Sequence, residues 1–468
     1  MSLRRSLRLR TLVATSAGLA LASSVYPAAV QAAAAVGGRV VWLAIAAAGG
    51  LCVLAATYFA ELAAMFPTAG GVQVYVRHAF GERLAVTVSL LYVVLAWAAG
   101  AAEAYVFASV LERVFAATGM PVVSAVPVEL WVVAVITFFF VVNLRGVETA
   151  GRTQDILTYG MFFLVFALSV WGLLDAWAEG LPLGGGASGV AGTGTGTAAG
   201  AAGGPGLGGF LTAVAYSVYL YIGFEWVTPL AEETTDVRVL PRAMPMAVAL
   251  LGAAYALWTT VMVTHVPAGE LLGHPTPHLV FAEVLAGPAG LLIVGLISAL
   301  ATFTSFNAGM MGNSRLVYGM AREGVLPRAL SKVHLRYFTP WAALAFMFAV
   351  ELVLALVLAL TGGFAVAILM AAAIECLMYA LAASVVLRLR RTRPDLERPY
   401  RAPGGRAVAG AVALVFAFLA VAVFLPPSPW VVGLLFAVAV ALAGAYSRWV
   451  VPRLRARRLG LGGAAPPG

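Results

Sequence analysis

The residues of this sequence most able to do chemistry are carboxylates set inside long apolar runs. They are Glu61, Glu103, Glu225, Glu351 and Glu375. An ionised carboxylate in apolar surroundings is costly unless it is paired or hydrogen-bonded. Within a membrane segment such a residue usually marks a substrate or ion pathway. These positions are therefore candidates for a substrate or ion pathway.

One of these carboxylates follows a glycine, in the run Tyr221-Ile222-Gly223-Phe224-Glu225. Glycine allows the backbone to leave helical geometry. Lipid tolerates unwound backbone only where it is buried in protein or lines a cavity. We expect an unwound turn here, with Phe224 covering a bound ligand and Glu225 as the first candidate to carry a proton. The alternative is a glycine at a tight helix crossing beside an unrelated glutamate.

A second unwound turn is expected five apolar segments earlier, because a repeat of five spans inverts its direction in the membrane. Small residues cluster there ahead of Pro27, namely Ala17, Gly18, Ala20, Ala22, Ser23 and Ser24. Close packing of small residues against another helix is the alternative. An unwound turn frees N–H groups that attract a carboxylate and C=O groups that attract an ammonium. A zwitterionic amino acid matches both ends.

Composition shows which elements must position these groups. The chain has 468 residues, of which 62% are hydrophobic and 10% are charged. Soluble domains carry about 25% charged residues, so the lipid bilayer is the expected environment. Apolar runs long enough to span a bilayer occur at residues 11–35, 39–66, 84–111, 127–144, 154–177, 209–231, 242–265, 287–320, 340–361, 364–388, 407–426 and 429–450. The sequence thus predicts twelve helical spans.

The basic residues set the orientation. With both termini in the cytoplasm, every Arg and the single Lys, except Arg39 and Arg113, lie in cytoplasmic loops or tails. The net charge of +9 therefore reflects topology, and no nucleic-acid partner is expected. Residues 1–33 also fit a signal peptide, with a basic start and a closing Ala-Val-Gln-Ala. The charges of the loops do not decide whether residues 1–33 are cleaved off as a signal peptide or form the first span, because span 2 would have the same direction in both cases.

Four ordered segments then show a resemblance. They are residues 58–81 at the end of span 2, residues 143–154 entering span 5, residues 221–243 around Gly223, and residues 313–327 after span 8, with a weaker one at 393–404. Together they resemble amino acid permeases of the APC (amino acid–polyamine–organocation) superfamily. The resemblance implies an all-α fold with a five-plus-five inverted-repeat core, discontinuous helices 1 and 6, and two further C-terminal helices. It also implies alternating access, with spans 3 and 8 walling the site.

The resemblance also implies an organisation of the chain. The expected parts are the N-terminus 1–10, a first repeat 11–177, a Gly/Ala-rich external loop 178–208, a second repeat 209–388, a basic loop 389–406, two last spans 407–450 and a tail 451–468. The loop and the tail beyond Arg458 have little to pack and are expected to be mobile. We expect the plasma membrane as location, with both termini cytoplasmic.

These observations favour a secondary transporter of amino acids or related amines. A non-transporting amino acid sensor is the alternative. Many proton-coupled relatives carry a Lys in span 5, whereas Met161 stands here. Exchange, facilitated uptake and coupling to H⁺ or Na⁺ all stay open. Glu103 is a candidate on the pathway, while Glu351 is expected against a neighbouring helix and Glu375 has no evident partner.

Other polar groups carry weaker alternatives. Glu61 either pairs with Arg315 or Arg322 as an inner gate or simply anchors its helix. Span 8 offers hydroxyl and amide oxygens suited to sodium, at Thr302, Thr304, Ser305 and Asn307. One outer loop holds acidic and imidazole side chains that suggest a metal only weakly, at His265, Glu270, His274 and His278. We expect neither cofactor nor metal, and no enzyme, because no nucleophile–base set is visible and the single Lys332 excludes a P-loop.

Overall fold

The computed structural model describes residues 8–38, 40–68, 71–117, 126–144, 150–184, 206–337, 339–424 and 430–458. Every regular element within these ranges is a helix. The α-helices are α1 (Leu9–Ala20), α2 (Val25–Ala35), α3 (Val41–Met65), α4 (Gly71–Phe80), α5 (Glu82–Ala117), α6 (Val128–Leu144), α7 (Ala150–Ala178), α8 (Leu207–Val218), α9 (Leu240–His265), α10 (Ala268–Leu271), α11 (Pro277–Arg322), α12 (Trp341–Thr361), α13 (Phe364–Thr392), α14 (Gly405–Ala422), α15 (Trp430–Ala445) and α16 (Val451–Arg458). Short 3₁₀ helices at Tyr219–Tyr221 and Phe224–Glu233 continue α8.

The membrane spans follow the predicted segments. In the described part of the chain, 10 helices are long and apolar enough to cross a bilayer, and the bent pair α1 and α2 makes an eleventh. The shorter apolar helix α6 occupies the predicted fourth span. Helix α11 begins ten residues before the predicted eighth span but leaves helical geometry at Ala286 and Gly287. The predicted start of that span, residue 287, lies at this kink.

Large apolar side chains remain on the outside of the bundle. Trp177 is 83% exposed and Trp430 is 78% exposed, which a water-soluble fold does not tolerate over so many helices. The hydrocarbon of a bilayer supplies the missing partner for these surfaces. The protein is therefore a multi-pass membrane protein, as the composition predicted.

Packing within the bundle follows the expected repeat. The second half of span 1, α2, packs on α8 of span 6, while α3 packs on α9 and α5 on α11. Each pair joins spans that are five apart in the chain, which is consistent with an inverted repeat. Leu12, Ala14 and Ala17 have no exposed surface, so the first span lies in the centre of the bundle.

Some expectations fall outside the described residues. These include most of the Gly/Ala-rich loop and the tail beyond Arg458. Both cysteines are described, and Cys52 and Cys376 are buried and free. They are packing residues, as expected from their apolar surroundings.

Candidate functional site

Span 1 is interrupted between α1 and α2. The two halves meet at an angle of 68°, and residues 21–24 between them are not helical. Pro27 falls in the first turn of α2, where a missing N–H removes no helical hydrogen bond. The predicted break is therefore present, at the C-terminal end of the small-residue cluster. Ala17, Gly18 and Ala20 remain helical within α1.

The amides freed by this break are bound by a carboxylate from span 3. Ser23 N–H donates to Glu103 Oε1 at 3.0 Å, and Ser24 N–H donates to Glu103 Oε2 at 2.8 Å. The Thr302 hydroxyl also donates to Oε1. Glu103 is 3% exposed, so its charge is balanced by these donors and by the N-terminal dipole of α2. The suggestion that Glu103 faces the pathway agrees with this position.

Span 6 is interrupted at Gly223, between the two 3₁₀ segments. Gly223 has φ +118°, a conformation that an L side chain rarely adopts. A Cβ at this position would stand 2.5 Å from Leu19 Cδ2 and 3.3 Å from Ala20 N. Glycine is thus required both by the backbone angle and by the close approach of span 1.

Glu225 lies just beyond this break and is fully buried. Tyr92 OH donates to its Oε1 at 2.7 Å. Its Oε2 accepts from Tyr379 OH at 3.3 Å and from Gly223 N–H at 3.3 Å. Glu375, one helical turn before Tyr379 on α13, is a like-charged neighbour of Glu225, and neither of its carboxylate oxygens has a hydrogen-bond partner. The sequence named no partner for Glu375, and the structure shows no hydrogen bond to its side chain.

The two breaks face each other. Ser16 Oγ donates to Phe224 O at 2.8 Å, and Ser24 Oγ lies 3.2 Å from Tyr219 OH. Beside them is a cavity of about 670 Å³ of empty space, including its opening. Its walls come from both breaks and from α5, α11 and α12. The lining residues include Ala20, Ala22, Ser24, Glu103, Tyr219, Ile222, Trp226, Phe306, Asn313 and Glu351.

Some expected site residues lie elsewhere. Tyr221 turns away from the cavity, and its hydroxyl donates to Ile45 O at 2.7 Å. Phe224 does not form the expected cover, because its ring packs edge-on against Phe59 with centroids 6.2 Å apart. Four further expected residues lie next to the breaks but do not line the cavity, namely Ala17, Gly18, Ser23 and Gly223. Glu351 sits opposite α5, as expected, with Oε1 3.0 Å from where a Cβ on Gly100 would lie.

Aromatic residues that the sequence did not single out line the cavity instead. Trp226 stacks on Tyr92 with ring centroids 4.3 Å apart and planes at 9°. Tyr219 precedes the break and holds Ser24. A 3₁₀ helix turns every three residues rather than every 3.6, so an α-helical register drawn through the broken span does not identify position 226 as a lining position.

Glu61 is bound by a different arginine from those expected. Arg390 donates from Nε to Glu61 Oε1 at 3.0 Å and from Nη2 to Oε2. Ala402 N–H also donates to Oε2, at 2.8 Å. Arg315 is exposed on α11, whereas the loop after α13 folds directly over the end of α3. Glu61 therefore anchors α3 to this loop, and partial burial together with its carboxylate raises the pKa of Tyr400.

The candidate cation ligands are already used in protein contacts. Thr304 Oγ1 donates to Gly18 O at 3.3 Å, and Ser305 Oγ donates to Leu19 O at 2.9 Å. These bonds attach α11 to α1 directly, and the Asn307 side chain lies outside the described set. His278 bonds Ser298 at 2.9 Å. Among the described residues, no cluster of three or more His, Cys, Asp or Glu side chains is placed to hold a metal.

The fold matches that of solved transporters. The manganese transporter of Eremococcus coleocola superposes with a TM-score of 0.62 over 97% of each chain at 14% identity. At this identity the likeness concerns the fold alone. The architecture and the paired breaks give the chain the fold of these membrane transporters.

Sequence comparison gives the family. The amino acid permease family model matches residues 7–446, so the chain belongs to this family. It is 26% identical to the human cystine/glutamate transporter over 359 residues, covering 76% of this chain and 68% of that protein. It is 27% identical to the human Asc-type amino acid transporter 1 over 382 residues, covering 79% and 69%. The resemblance drawn from the ordered motifs is confirmed.

Proposed function

We propose that this protein moves amino acids or related amines across the plasma membrane by alternating access. The substrate would bind between the breaks of spans 1 and 6. Relatives that are named as amino acid transporters support the substrate class. The observation that carries the proposal is the cavity itself, because both breaks contribute to its walls.

The breaks also explain how such a site can move. Gly223 packs directly on Leu19 and Ala20, and each break lacks the continuous hydrogen bonds that make a helix rigid. Bending at residues 21–24 and 222–223 lets one half of each span tilt while the other half stays in place. This is the hinge behaviour that alternating access needs.

Uptake of labelled amino acids into proteoliposomes tests the proposal. The purified protein should give saturable uptake or exchange, whereas saturable binding without flux would support a sensor instead. Gly223→Leu should abolish transport, because the side chain would collide with Leu19 and oppose the positive φ. Gly50→Leu is the matched control, since nothing lies within 4 Å of a Cβ at exposed Gly50. Normal uptake by Gly223→Leu would remove span 6 from the site.

For coupling we propose a proton carried between Glu225 and Glu375. Glu375 lies close enough to Glu225 for their charges to repel each other. Both oxygens of Glu375 are buried without a hydrogen-bond partner, so nothing would balance an ionised Glu375. The titratable groups facing the pair from the surrounding helices are Tyr92, Tyr379, Cys52 and Cys376. None of these four groups is a cation. Because the two neighbouring carboxylates repel each other when both are ionised, the state in which Glu225 and Glu375 hold one proton between them is favoured.

The pH dependence of uptake tests this coupling. Wild-type uptake should respond to an inward pH gradient, and Glu225→Gln should flatten the response because the pair no longer exchanges a proton. Glu375→Gln should do the same. The control is Glu283→Gln, which alters an exposed surface pair with Arg113. An unchanged pH profile in Glu225→Gln rules this residue out as the proton carrier.

We further propose that the protein lies in the plasma membrane with both termini in the cytoplasm. The distribution of Arg supports this orientation. Labelling of single cysteines in intact cells tests it. A cysteine replacing Arg113 should react with an impermeant reagent from outside, whereas one replacing Arg391 should not.

A further inference from the structure

The amides expected to receive a substrate carboxylate are already occupied. Glu103 takes the N–H groups of both Ser23 and Ser24, at 3.0 and 2.8 Å. In the other break, the Gly223 N–H donates to Glu225 Oε2 at 3.3 Å. At each break, the backbone N–H groups that could attract an anion are thus hydrogen-bonded to a carboxylate of the protein itself.

Glu103 is held in this place from several sides. Thr302 donates to it, and Ser23 Oγ lies 3.1 Å from Thr302 Oγ1 and donates to Ser298 O at 3.3 Å. The carboxylate is 3% exposed and lines the cavity. A substrate carboxylate arriving at Ser23 and Ser24 would have to displace it or stand beside it as a like charge.

The remaining polar lining also favours a cation. Glu351 also lines the cavity, beside Gly100 and so about one helical turn from Glu103 on α5, and its Oε2 has no hydrogen-bond partner. Among the described residues that line the cavity there is no Lys, Arg or His. Tyr219 and Trp226 also line the cavity, and aromatic rings attract ammonium groups.

We propose that the substrate is an amine without an α-carboxylate, and that Glu103 supplies the carboxylate that an amino acid would otherwise bring. This inference rests on the proposed transport function and narrows its substrate class. The ammonium binds between Glu103 and the aromatic lining, and a second ammonium of a diamine reaches Glu351. Glu103 is thereby the residue that determines specificity for amine over amino acid.

Matched substrate pairs in proteoliposomes test the proposal. The pairs are isoamylamine with leucine, cadaverine with lysine, and tyramine with tyrosine, each differing only by the carboxylate. Wild-type protein should take up each amine at least tenfold faster than its amino acid at equal concentration. Glu103→Ala frees the Ser23 and Ser24 amides, so the preference should shift toward the amino acid by at least tenfold. Glu283→Gln, a surface change, should keep the wild-type preference.

The outcomes separate this inference from the transport function. Faster uptake of amino acids than of amines by wild type, with no shift in Glu103→Ala, overturns the inference while transport stands. If neither member of any pair is taken up or exchanged, the transport function fails as well. Should Glu103→Ala not fold, Glu103→Gln with equilibrium binding of the same pairs provides the readout. The Glu103→Gln substitution should weaken amine binding at least tenfold, and unchanged amine binding in this variant refutes the inference.

Discussion

Removing the charge of Glu61 should destabilise the protein without touching the cavity. The Glu61 and Arg390 side chains are 1% and 3% exposed, so water does not screen their pairing. Glu61→Gln keeps the size of the side chain but leaves the guanidinium without its anion. Arg398, whose Nε lies 3.7 Å from Glu61 Oε1, becomes a second uncompensated charge.

The magnitude follows from what is lost. Removing one partner of a buried ion pair costs about 3–5 kcal/mol, because the other charge stays buried. The hydrogen bond from Ala402 N–H weakens as well, since a neutral oxygen accepts less strongly than a carboxylate. The free energy of unfolding should therefore fall by about 3–5 kcal/mol, with detachment of the loop after α13 from α3 as the first local event.

Unfolding by SDS in mixed micelles measures this change, with uptake of a transported substrate measured in parallel. Arg391→Met is the matched control, because Arg391 is the exposed neighbour of Arg390 and surface changes alter stability by less than about 0.5 kcal/mol. The double variant Glu61→Gln/Arg390→Gln should recover part of the loss, since it leaves no unpaired charge at residue 390. Equal stability of Glu61→Gln and Arg391→Met would refute the reasoning.

Three further perturbations test the site. Trp226→Ala should raise the KM for uptake about tenfold, because it removes a wall of the cavity, and should also lower the thermal stability in detergent, because it removes the ring stacked on Tyr92; an unchanged KM in the folded variant would place the substrate elsewhere. Ser305→Ala should leave uptake equally insensitive to replacing sodium by potassium, because its hydroxyl is bound to Leu19 O; sodium dependence that disappears in the variant would reveal a cation site. Tyr255→Phe removes the 2.7 Å bond to Ala20 O and should lower the unfolding free energy by about 1–3 kcal/mol, measured by SDS titration; no change would mean that water replaces the hydroxyl.

Several features could be read from the sequence because they depend on local chemistry. Apolar length sets a membrane span, so the segments were predictable within a few residues at most ends. Gly223 was predictable as a break because glycine alone adopts its φ without strain. The residue types at 21–24 and Pro27 suggested the first break, although packing of small residues against another helix gave the same pattern.

Side-chain partners were not predictable in the same way. Glu61 and Arg390 are 329 residues apart in the chain, and only the path of the loop after α13 brings them together. The 3₁₀ winding after Gly223 turned Phe224 toward Phe59 and gave the lining position to Trp226. No periodicity in the sequence distinguishes a 3₁₀ turn from an α-helical one over so few residues.

By itself the sequence determined that this chain crosses a membrane many times, and it indicated where two of its helices could open, because hydrocarbon length and glycine geometry are local constraints. The tertiary structure decided which groups meet at those openings. Glu103, Glu225 and Glu375 are widely separated in the chain, and a hydrogen bond depends on a few tenths of an ångström that only packing sets. That is why the sequence indicated an anion-binding end at the first break, and only the assembled bundle revealed that Glu103 already occupies it.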